Sequence, residues 1–148
     1  MRCLRACQLI PGRLYQRGRF VKYSKEQKAD LLRRYGIKVV VNLCGVMDGD
    51  LFARPEDLLY IRWHIVDSRL PNVVLLTELA NLLSQFVQEG RTVLVHCKRG
   101  RDRSSLLNAL VVGAVCGMSG KEAVKYVRER RPNALGNPHF VKYLEQLP

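Results

Sequence analysis

The sequence is poor in the residue patterns that build metal sites and disulfide frameworks. Its 148 residues include five cysteines, an odd number with no Cys-x-x-Cys pair, and three histidines scattered along the chain. This argues against a zinc site and against a secreted disulfide framework. The N-terminal stretch carries a charge at Arg5, where a signal peptide needs an apolar run. We therefore expect a protein of the reducing cytoplasm that needs no metal and no other cofactor.

Acidic residues, aromatic residues and long apolar runs are also scarce. The longest nearly apolar stretch, 106–118, is too short to span a bilayer, so no membrane span is expected. Asp and Glu number 13 against 25 Lys and Arg, and the net charge of +12 predicts an anionic substrate or partner. This charge would also permit peripheral contact with an anionic lipid surface. Aromatic residues make up 7% and do not alternate with the basic runs, which leaves nucleic-acid binding as a minor alternative.

The length and composition predict one globular domain over residues 1–148. Hydrophobic residues make up 47% of the chain and charged residues 26%, which excludes general disorder. Residues 1–23 are interpreted as a basic N-terminal segment, because basic residues and no acidic residue occur between Met1 and Lys25. Two roles for this segment stay open: an arm that touches phosphate-rich surfaces, and a basic edge that is solvated.

Strand and helix signals alternate along the chain, which is typical of an α/β fold. Ser24 and Gln27 form the pattern of a capping box at the start of a helix over 24–35, and Gly36 stands where that helix should end. Short apolar runs, rich in β-branched residues, predict strands at 37–43, 60–65 and 92–96. Apolar spacing and helix start signals predict helices at 73–89, 104–116, 119–131 and 138–146. We expect a central, mostly parallel sheet flanked by helices.

The segment 93–105 carries the chemistry, as a strand, a polar loop from Cys97 to Arg103, and a helix. This arrangement collects backbone N–H groups around an anion at the helix N-terminus. A cysteine placed there has its thiolate stabilised by those dipoles and by nearby cations, so Cys97 is a candidate nucleophile. Arg103 has a planar fork that can hold two phosphate oxygens, and Gly100 allows the backbone to approach the anion closely. Ser104 can donate a hydrogen bond to the cysteine sulfur and help it leave.

This segment resembles the signature of the cysteine-dependent phosphatases, which is His-Cys, five residues, Arg, and then Ser or Thr. Here His96 and Cys97 begin the pattern, and Arg103 and Ser104 end it. Within that superfamily the chain is most similar to the dual-specificity class. The resemblance implies a dual-specificity-phosphatase-like fold and hydrolysis of phosphate monoesters through a phosphocysteine intermediate. It also implies phosphorylated tyrosine, serine and threonine side chains of proteins as substrates.

The likeness to the dual-specificity class extends through most of the chain. Residues 36–43 resemble the family's first core strand, and residues 122–132 and 137–140 resemble its closing helices. Asp67 lies 30 residues before Cys97, where the family carries its general acid. The resemblance therefore implies that Asp67 protonates the leaving group.

The loop after the cysteine is unusually cationic. The residues expected to bind the substrate phosphate are Lys98, Arg99, Gly100, Arg101, Asp102 and Arg103. Loops of this kind resemble those of relatives that act on polyanions, so an anionic phosphorylated small molecule stays an alternative substrate. A phosphoinositide, an inositol polyphosphate and an RNA 5′-phosphate are the candidates considered. A second alternative is a module that binds phosphate without turnover, against which the presence of Cys97 argues.

The identity of the general acid also stays open. Asp102 stands directly before the arginine and resembles the aspartate of Cys-to-Asp-Arg loops, which is a proposed general acid. Asp102 is therefore an alternative to Asp67, and an acidic residue of the 48–57 loop is a third candidate.

Two further residues are expected to support the site. His96 precedes the nucleophile on a strand and should point away from Cys97, where it would hydrogen-bond the loop backbone and hold its shape. Cys44 follows a predicted strand and resembles the cysteine of the phosphoinositide 3-phosphatase tumour suppressor that forms a disulfide with the nucleophile. Such a redox partner would protect Cys97 from irreversible oxidation. The alternative for Cys44 is a small, buried apolar residue.

Overall fold

The computed structural model describes residues 5–18, 22–45 and 58–148. The strands in these ranges are β1 (Cys7–Ile10), β2 (Leu14–Arg17), β3 (Ile37–Asn42), β4 (Leu59–Arg62) and β5 (Thr92–His96). The helices are α1 (Lys25–Tyr35), α2 (Val73–Gln88), α3 (Arg103–Cys116), α4 (Gly120–Arg130) and α5 (Pro138–Glu145). None of the helices in the described ranges is long and apolar enough to cross a bilayer.

The strands form one mixed sheet in the order β1-β2-β5-β3-β4. Strands β2, β5, β3 and β4 are parallel to their neighbours, and β1 pairs antiparallel with β2. The prediction of a mostly parallel sheet flanked by helices is therefore confirmed. Asn42 at the end of β3 is in register with His96 at the end of β5. Residues that follow these two strands consequently meet at the carboxyl edge of the sheet, where open α/β sheets bind ligands.

Both faces of the sheet are covered by helices. Val39 and Val41 point into a large core shared with α2, α3, α4 and α5, whereas Val40 points to the opposite face, where Leu31 and Leu32 of α1 pack. All five of these side chains are buried. Because a central parallel strand is buried on both faces, residues 39–41 form a continuous apolar run instead of an alternating pattern.

The capping signals place the ends of α1 correctly. The Ser24 side chain accepts a hydrogen bond from Gln27 N, and Gln27 Oε1 accepts one from Ser24 N. Gly36 ends the helix with φ of 65°, in the left-handed region that glycine adopts easily. The boundaries predicted for the other helices and for β3 and β5 agree with the structure to within one residue.

Two predictions about strands need correction. The strand expected at 60–65 ends at Arg62. The chain nevertheless stays beside β3, because Trp63 N donates to Asn42 O at 2.9 Å and Ile65 N donates to Leu43 O at 3.1 Å.

The basic N-terminal segment, for which no strand was expected, contributes β1 and β2 to the sheet. Leu9 and Leu14 are fully buried there, so this part is integral to the domain. Residues 1–4 and 19–21 of the segment lie outside the described residues.

Candidate active site

The loop of residues 97–103 connects β5 to α3 at the carboxyl edge of the sheet. Cys97 follows β5 directly and is 2% exposed, and its backbone N donates to Arg17 O at 3.4 Å. Helix α3 begins at Arg103, so the loop lies at a helix N-terminus, where the macrodipole favours an anion. The strand, loop and helix predicted for this segment are all present.

Two polar groups lie within hydrogen-bond distance of the sulfur of Cys97. Gly100 N donates to Cys97 Sγ at 3.2 Å, and Ser104 Oγ lies 3.3 Å from the same sulfur. Ser104 is fully buried, so its hydroxyl is shielded from competing water. Hydrogen bonds to a sulfur stabilise its thiolate, which is the nucleophilic form of cysteine. This geometry supports the predicted contact of Ser104 with the sulfur.

The backbone of Gly100 explains how the loop can turn so tightly. Its φ is 68°, and a Cβ at this position would lie 2.5 Å from Arg17 C and 2.7 Å from Gly18 N. Those atoms belong to backbone and cannot move aside as a flexible side chain could. Only glycine combines the left-handed conformation with this close approach.

The carbonyl side of Gly100 is fixed by two residues that the sequence analysis did not single out. Gln16 Nε2 donates to Gly100 O at 3.2 Å, and Arg131 Nε donates to the same oxygen at 3.1 Å. Arg131 Nη2 also donates to Arg99 O at 3.3 Å. The bond to Arg99 O holds the peptide unit whose N–H group, that of Gly100, faces the cysteine, and the two bonds to Gly100 O hold the next peptide unit of the loop. No signal in the sequence linked Arg131 to a loop 32 positions earlier.

Gln16 is itself held by a buried polar network between β2 and α3. It donates to Ser105 Oγ at 2.9 Å and accepts from Asn108 Nδ2 at 3.1 Å. All three residues are fully buried. Asn108, a polar residue within the nearly apolar stretch 106–118, was the signal that could have indicated such a network.

Arg103 brings the candidate general acid to the loop. Its Nη1 donates to Ile65 O at 2.9 Å and approaches Leu43 O at 3.5 Å, so the guanidinium is anchored on the chain that leads to Asp67. Its Nε lies 3.8 Å from Asp67 Oδ1. Nε is buried and has no hydrogen-bond partner among the described residues. A phosphate oxygen would satisfy that donor, since a buried N–H group is rarely left unpaired.

The other two candidates for the general acid are not brought to the same place. Asp102 Oδ1 accepts hydrogen bonds from Gly136 N at 2.7 Å and from Asn137 N at 3.4 Å, so this carboxylate is committed to the backbone before α5. The third candidate, an acid of the 48–57 loop, lies outside the described residues. The geometry therefore favours Asp67, whose side chain is 58% exposed and can reach a leaving group in solvent.

The remaining predicted site residues lie around this centre. Lys98 and Arg99 are exposed, and Arg101 is half-buried with its carbonyl accepting from Leu135 N at 3.0 Å. His96 is buried between β2 and β3, and the bond from its ring to the loop stays a prediction.

Cys44 is buried in the same core as Cys97, and its backbone N donates to Asn42 Oδ1 at 2.8 Å. A disulfide between Cys44 and Cys97 stays a prediction. Burial raises the pKa of the Cys7 thiol, an effect that the positive charge of Arg131 partly offsets. Cys7 is therefore a poor nucleophile, whereas Cys97 has donors aimed at its sulfur. Within the part of the chain that the structure describes, no His, Cys, Asp and Glu side chains are grouped as a metal site would require.

Comparisons with known proteins agree with one another. The family described as "Dual specificity phosphatase, catalytic domain" matches residues 20–147. "Protein tyrosine phosphatase type IVA 2" of Mus musculus is 30% identical over 117 residues, which cover 78% of this chain and 69% of that protein. "Dual specificity protein phosphatase 1B" of Arabidopsis thaliana is 34% identical over 93 residues, which cover 62% of this chain and 56% of that protein. The crystal structure of DUSP15 has a TM-score of 0.75 at 25% identity and covers 95% of this chain and 85% of that chain.

Proposed function

The chain belongs to the dual specificity phosphatase family through its catalytic domain, and we propose that Cys97 is the nucleophile of its reaction. The resemblance drawn from the sequence is confirmed, and the protein is a phosphoric monoester hydrolase of the protein tyrosine and dual-specificity class. The observation that carries the proposal is the position of the Cys97 sulfur, which has Gly100 N at 3.2 Å and Ser104 Oγ at 3.3 Å. A structural thiol in an apolar core has no need of such donors.

In the first step of the proposed reaction, the Cys97 thiolate attacks phosphorus in line with the leaving oxygen. An S–P bond forms, the P–O bond to the substrate breaks, and Asp67 gives its proton to the departing oxygen. The Arg103 guanidinium and the N–H groups of the loop hold the equatorial phosphate oxygens. These donors are fixed before the substrate arrives, so they stabilise the transition state without reorganising.

In the second step, water attacks the phosphocysteine and releases inorganic phosphate. The Asp67 carboxylate takes a proton from the water, the S–P bond breaks, and the sulfur leaves as a thiolate. Ser104 stabilises that thiolate with a hydrogen bond from its hydroxyl. Because the nucleophile must stay reduced, the proposal places the protein in a reducing compartment such as the cytoplasm.

The proposed substrates are proteins phosphorylated on tyrosine, serine or threonine. The exposed side chains of Lys98 and Arg99 favour one alternative, an anionic phosphorylated small molecule such as a phosphoinositide or an inositol polyphosphate. An acidic phosphopeptide and a soluble inositol polyphosphate, compared at equal concentration, separate the two. Neutralising Lys98 and Arg101 should slow hydrolysis of the inositol polyphosphate far more than that of the peptide if the small-molecule alternative is correct.

The test of the proposal is hydrolysis of a chromogenic aryl phosphate without added metal. Cys97→Ser should abolish turnover, whereas the matched change Cys116→Ser, at an exposed thiol, should leave it unchanged. Asp67→Asn should remove the falling alkaline limb of kcat between about pH 5 and 8, because that limb reports the loss of a general acid. An inert wild type that still binds vanadate would instead indicate a module that binds phosphate without cleaving it.

A further inference from the structure

Asp102 occupies the position before α3 but does not cap that helix with its side chain. Its Oδ1 instead accepts hydrogen bonds from two consecutive backbone N–H groups, those of Gly136 at 2.7 Å and Asn137 at 3.4 Å. Hydrogen bonds to a carboxylate are roughly twice as strong as those between neutral groups. The carboxylate therefore fixes the turn before α5 to the loop that carries Cys97.

Asn137 extends this connection to the candidate general acid. Its Nδ2 donates to Asp67 O at 2.6 Å, while its Oδ1 accepts from His139 N at 2.9 Å and caps α5. From this arrangement we propose that Asp102 is a positioning residue. Through the backbone of Gly136 and Asn137, it sets the place of Asp67 relative to Cys97. This inference rests on the proposed function, because it assigns a role within the same reaction.

The turn that makes the connection is strained and needs to be held. Asn133 and Leu135 have φ of 69° and 59°, in the left-handed region that is unfavourable for a leucine. Arg128 Nη2 donates to Leu135 O at 2.9 Å, and Leu135 N donates to Arg101 O at 3.0 Å. Asp102 accepts the two hydrogen bonds that position Gly136 and Asn137, and the Asn137 side chain then contacts Asp67. A strained turn with this many anchors indicates that its position matters to the site.

The position of Asp67 needs such support because the rest of its environment is open. Its side chain is 58% exposed. Besides the bond from Ile65 N to Leu43 O and the approach of Arg103 Nε to the Asp67 carboxylate, its loop is anchored by the bond from Arg103 Nη1 to Ile65 O. That bond fixes the chain two residues before Asp67, and the bond from Asn137 fixes Asp67 itself. A displacement of about 1 Å in a catalytic group can cost on the order of a hundredfold in rate.

The experiment compares Asp102→Ala, Asp102→Asn and Asn137→Ser on two substrates of different leaving-group quality. Alanine removes the acceptor, whereas asparagine keeps an acceptor oxygen but cannot donate a proton from a carboxyl group. Serine at 137 keeps the cap of α5, since Ser and Asn are similar N-cap residues, but loses the donor to Asp67. Asp30→Ala on the surface of α1 removes the same charge far from the site and serves as the control.

Phenyl phosphate needs a general acid, and 2,4-dinitrophenyl phosphate has a leaving group that departs without one. We expect Asp102→Ala and Asn137→Ser to lower kcat on phenyl phosphate about 10- to 100-fold and on the dinitrophenyl ester about threefold or less. KM and inhibition by vanadate should stay near the wild-type values. Asp102→Asn should recover most of the activity and keep the alkaline limb of the pH profile. Asn137→Ser keeps the proposal testable even if Asp102→Ala does not fold.

Three results would overturn the inference while Cys97 keeps its proposed role as the nucleophile. If Asp102→Asn is as slow as Asp102→Ala and loses the alkaline limb, Asp102 is the general acid itself. If Asp102→Ala and Asn137→Ser have the wild-type kcat on both substrates, neither residue positions Asp67. The same conclusion follows if kcat falls equally on both substrates and inhibition by vanadate becomes weaker. A wild type that hydrolyses neither ester overturns the proposed function together with this inference.

Discussion

Replacing Gln16 with leucine should lower both the stability and the activity of the protein, and a second substitution should separate the two effects. Gln16 and Asn108 are fully buried and are joined by a hydrogen bond of 3.1 Å from Asn108 Nδ2 to Gln16 Oε1. Gln16 Nε2 also donates to Gly100 O and to Ser105 Oγ. Gln16→Leu therefore leaves the side-chain amide of Asn108 without its hydrogen-bond partner. It also removes one of the two side-chain hydrogen bonds to the Gly100 carbonyl.

The size of the stability loss follows from the side-chain amide of Asn108, which loses its hydrogen-bond partner. Asn108 Oδ1 already has no hydrogen-bond partner among the described residues, so Gln16→Leu leaves the whole amide unpaired. A buried donor left without a partner costs about 1–3 kcal/mol, and the added apolar side chain returns part of this. We expect a net loss of about 2 kcal/mol, which lowers the melting temperature by about 4–8 °C in a domain of this size. Asn108→Leu should cost less, because it also removes the unpaired Oδ1.

The double variant Gln16→Leu/Asn108→Leu distinguishes packing from catalysis. Replacing both partners of one hydrogen bond by apolar groups can be nearly neutral. The free energy of unfolding of the double variant should therefore be about 1 kcal/mol higher than that of Gln16→Leu, although Ser105 Oγ still lacks the donor that Gln16 supplied. Its kcat on an aryl phosphate should nevertheless remain about tenfold below that of the wild type, because Gly100 O keeps only the hydrogen bond from Arg131. Urea unfolding and steady-state kinetics on the four proteins of this cycle provide the measurement. Additive stability losses, or a double variant with wild-type kcat, would refute the reasoning.

Two further substitutions test the contacts of the cysteine sulfur. Gly100→Ala should reduce kcat by about a hundredfold or more, because its Cβ would clash with the Arg17 backbone and shift an N–H donor. Gly12→Ala is the control, since Gly12 has a similar φ of 69° with no atom within 4 Å, and equal activity of the two variants would contradict the argument. Ser104→Ala should slow release of the thiolate about tenfold, so that rapid mixing shows a burst of phenolate before the steady state. Ser84→Ala, at another buried serine, should show no burst. If Ser104→Ala shows no burst and no change in rate, the role of Ser104 in thiolate release is excluded.

Most elements of the fold could be predicted because their signals are local. The capping box of Ser24 and Gln27 lies within four residues at the start of α1, and the left-handed Gly36 follows its last residue directly. The ends of α1 could therefore be predicted from nearby residues alone. Strands β1 and β2 were missed because each has four residues and lies in a stretch rich in arginine. Their strand character comes from pairing, since β2 lies between β1 and β5 in the sheet. A four-residue strand shows too little alternation to be recognised before its neighbours are known.

The same distinction applies to the candidate site. Cys97, Gly100, Arg103 and Ser104 lie in one short segment, so their spacing was visible in the sequence and the structure brings them together. The residues that hold this segment come from distant parts of the chain: Gln16, Arg131, Gly136 and Asn137. Each of these contacts has a backbone group on one side: Gln16 and Arg131 donate to a backbone carbonyl, and the N–H groups of Gly136 and Asn137 donate to Asp102 Oδ1. Because every residue type has these backbone groups, only the fold shows which of them meets which side chain.

The charges of the loop divide into two groups by burial, and this division separates catalysis from substrate choice. Arg103 is 7% exposed, and its Nε lies 3.8 Å from Asp67 Oδ1. In the proposed mechanism it contacts only the phosphate that undergoes reaction, and we therefore expect its effect to be the same for every monoester. Lys98 and Arg99 are exposed, so they can contact whatever carries the phosphate. Salt screens exposed charges more strongly than buried ones. Added salt should therefore raise KM for a polyanionic substrate while kcat stays nearly constant.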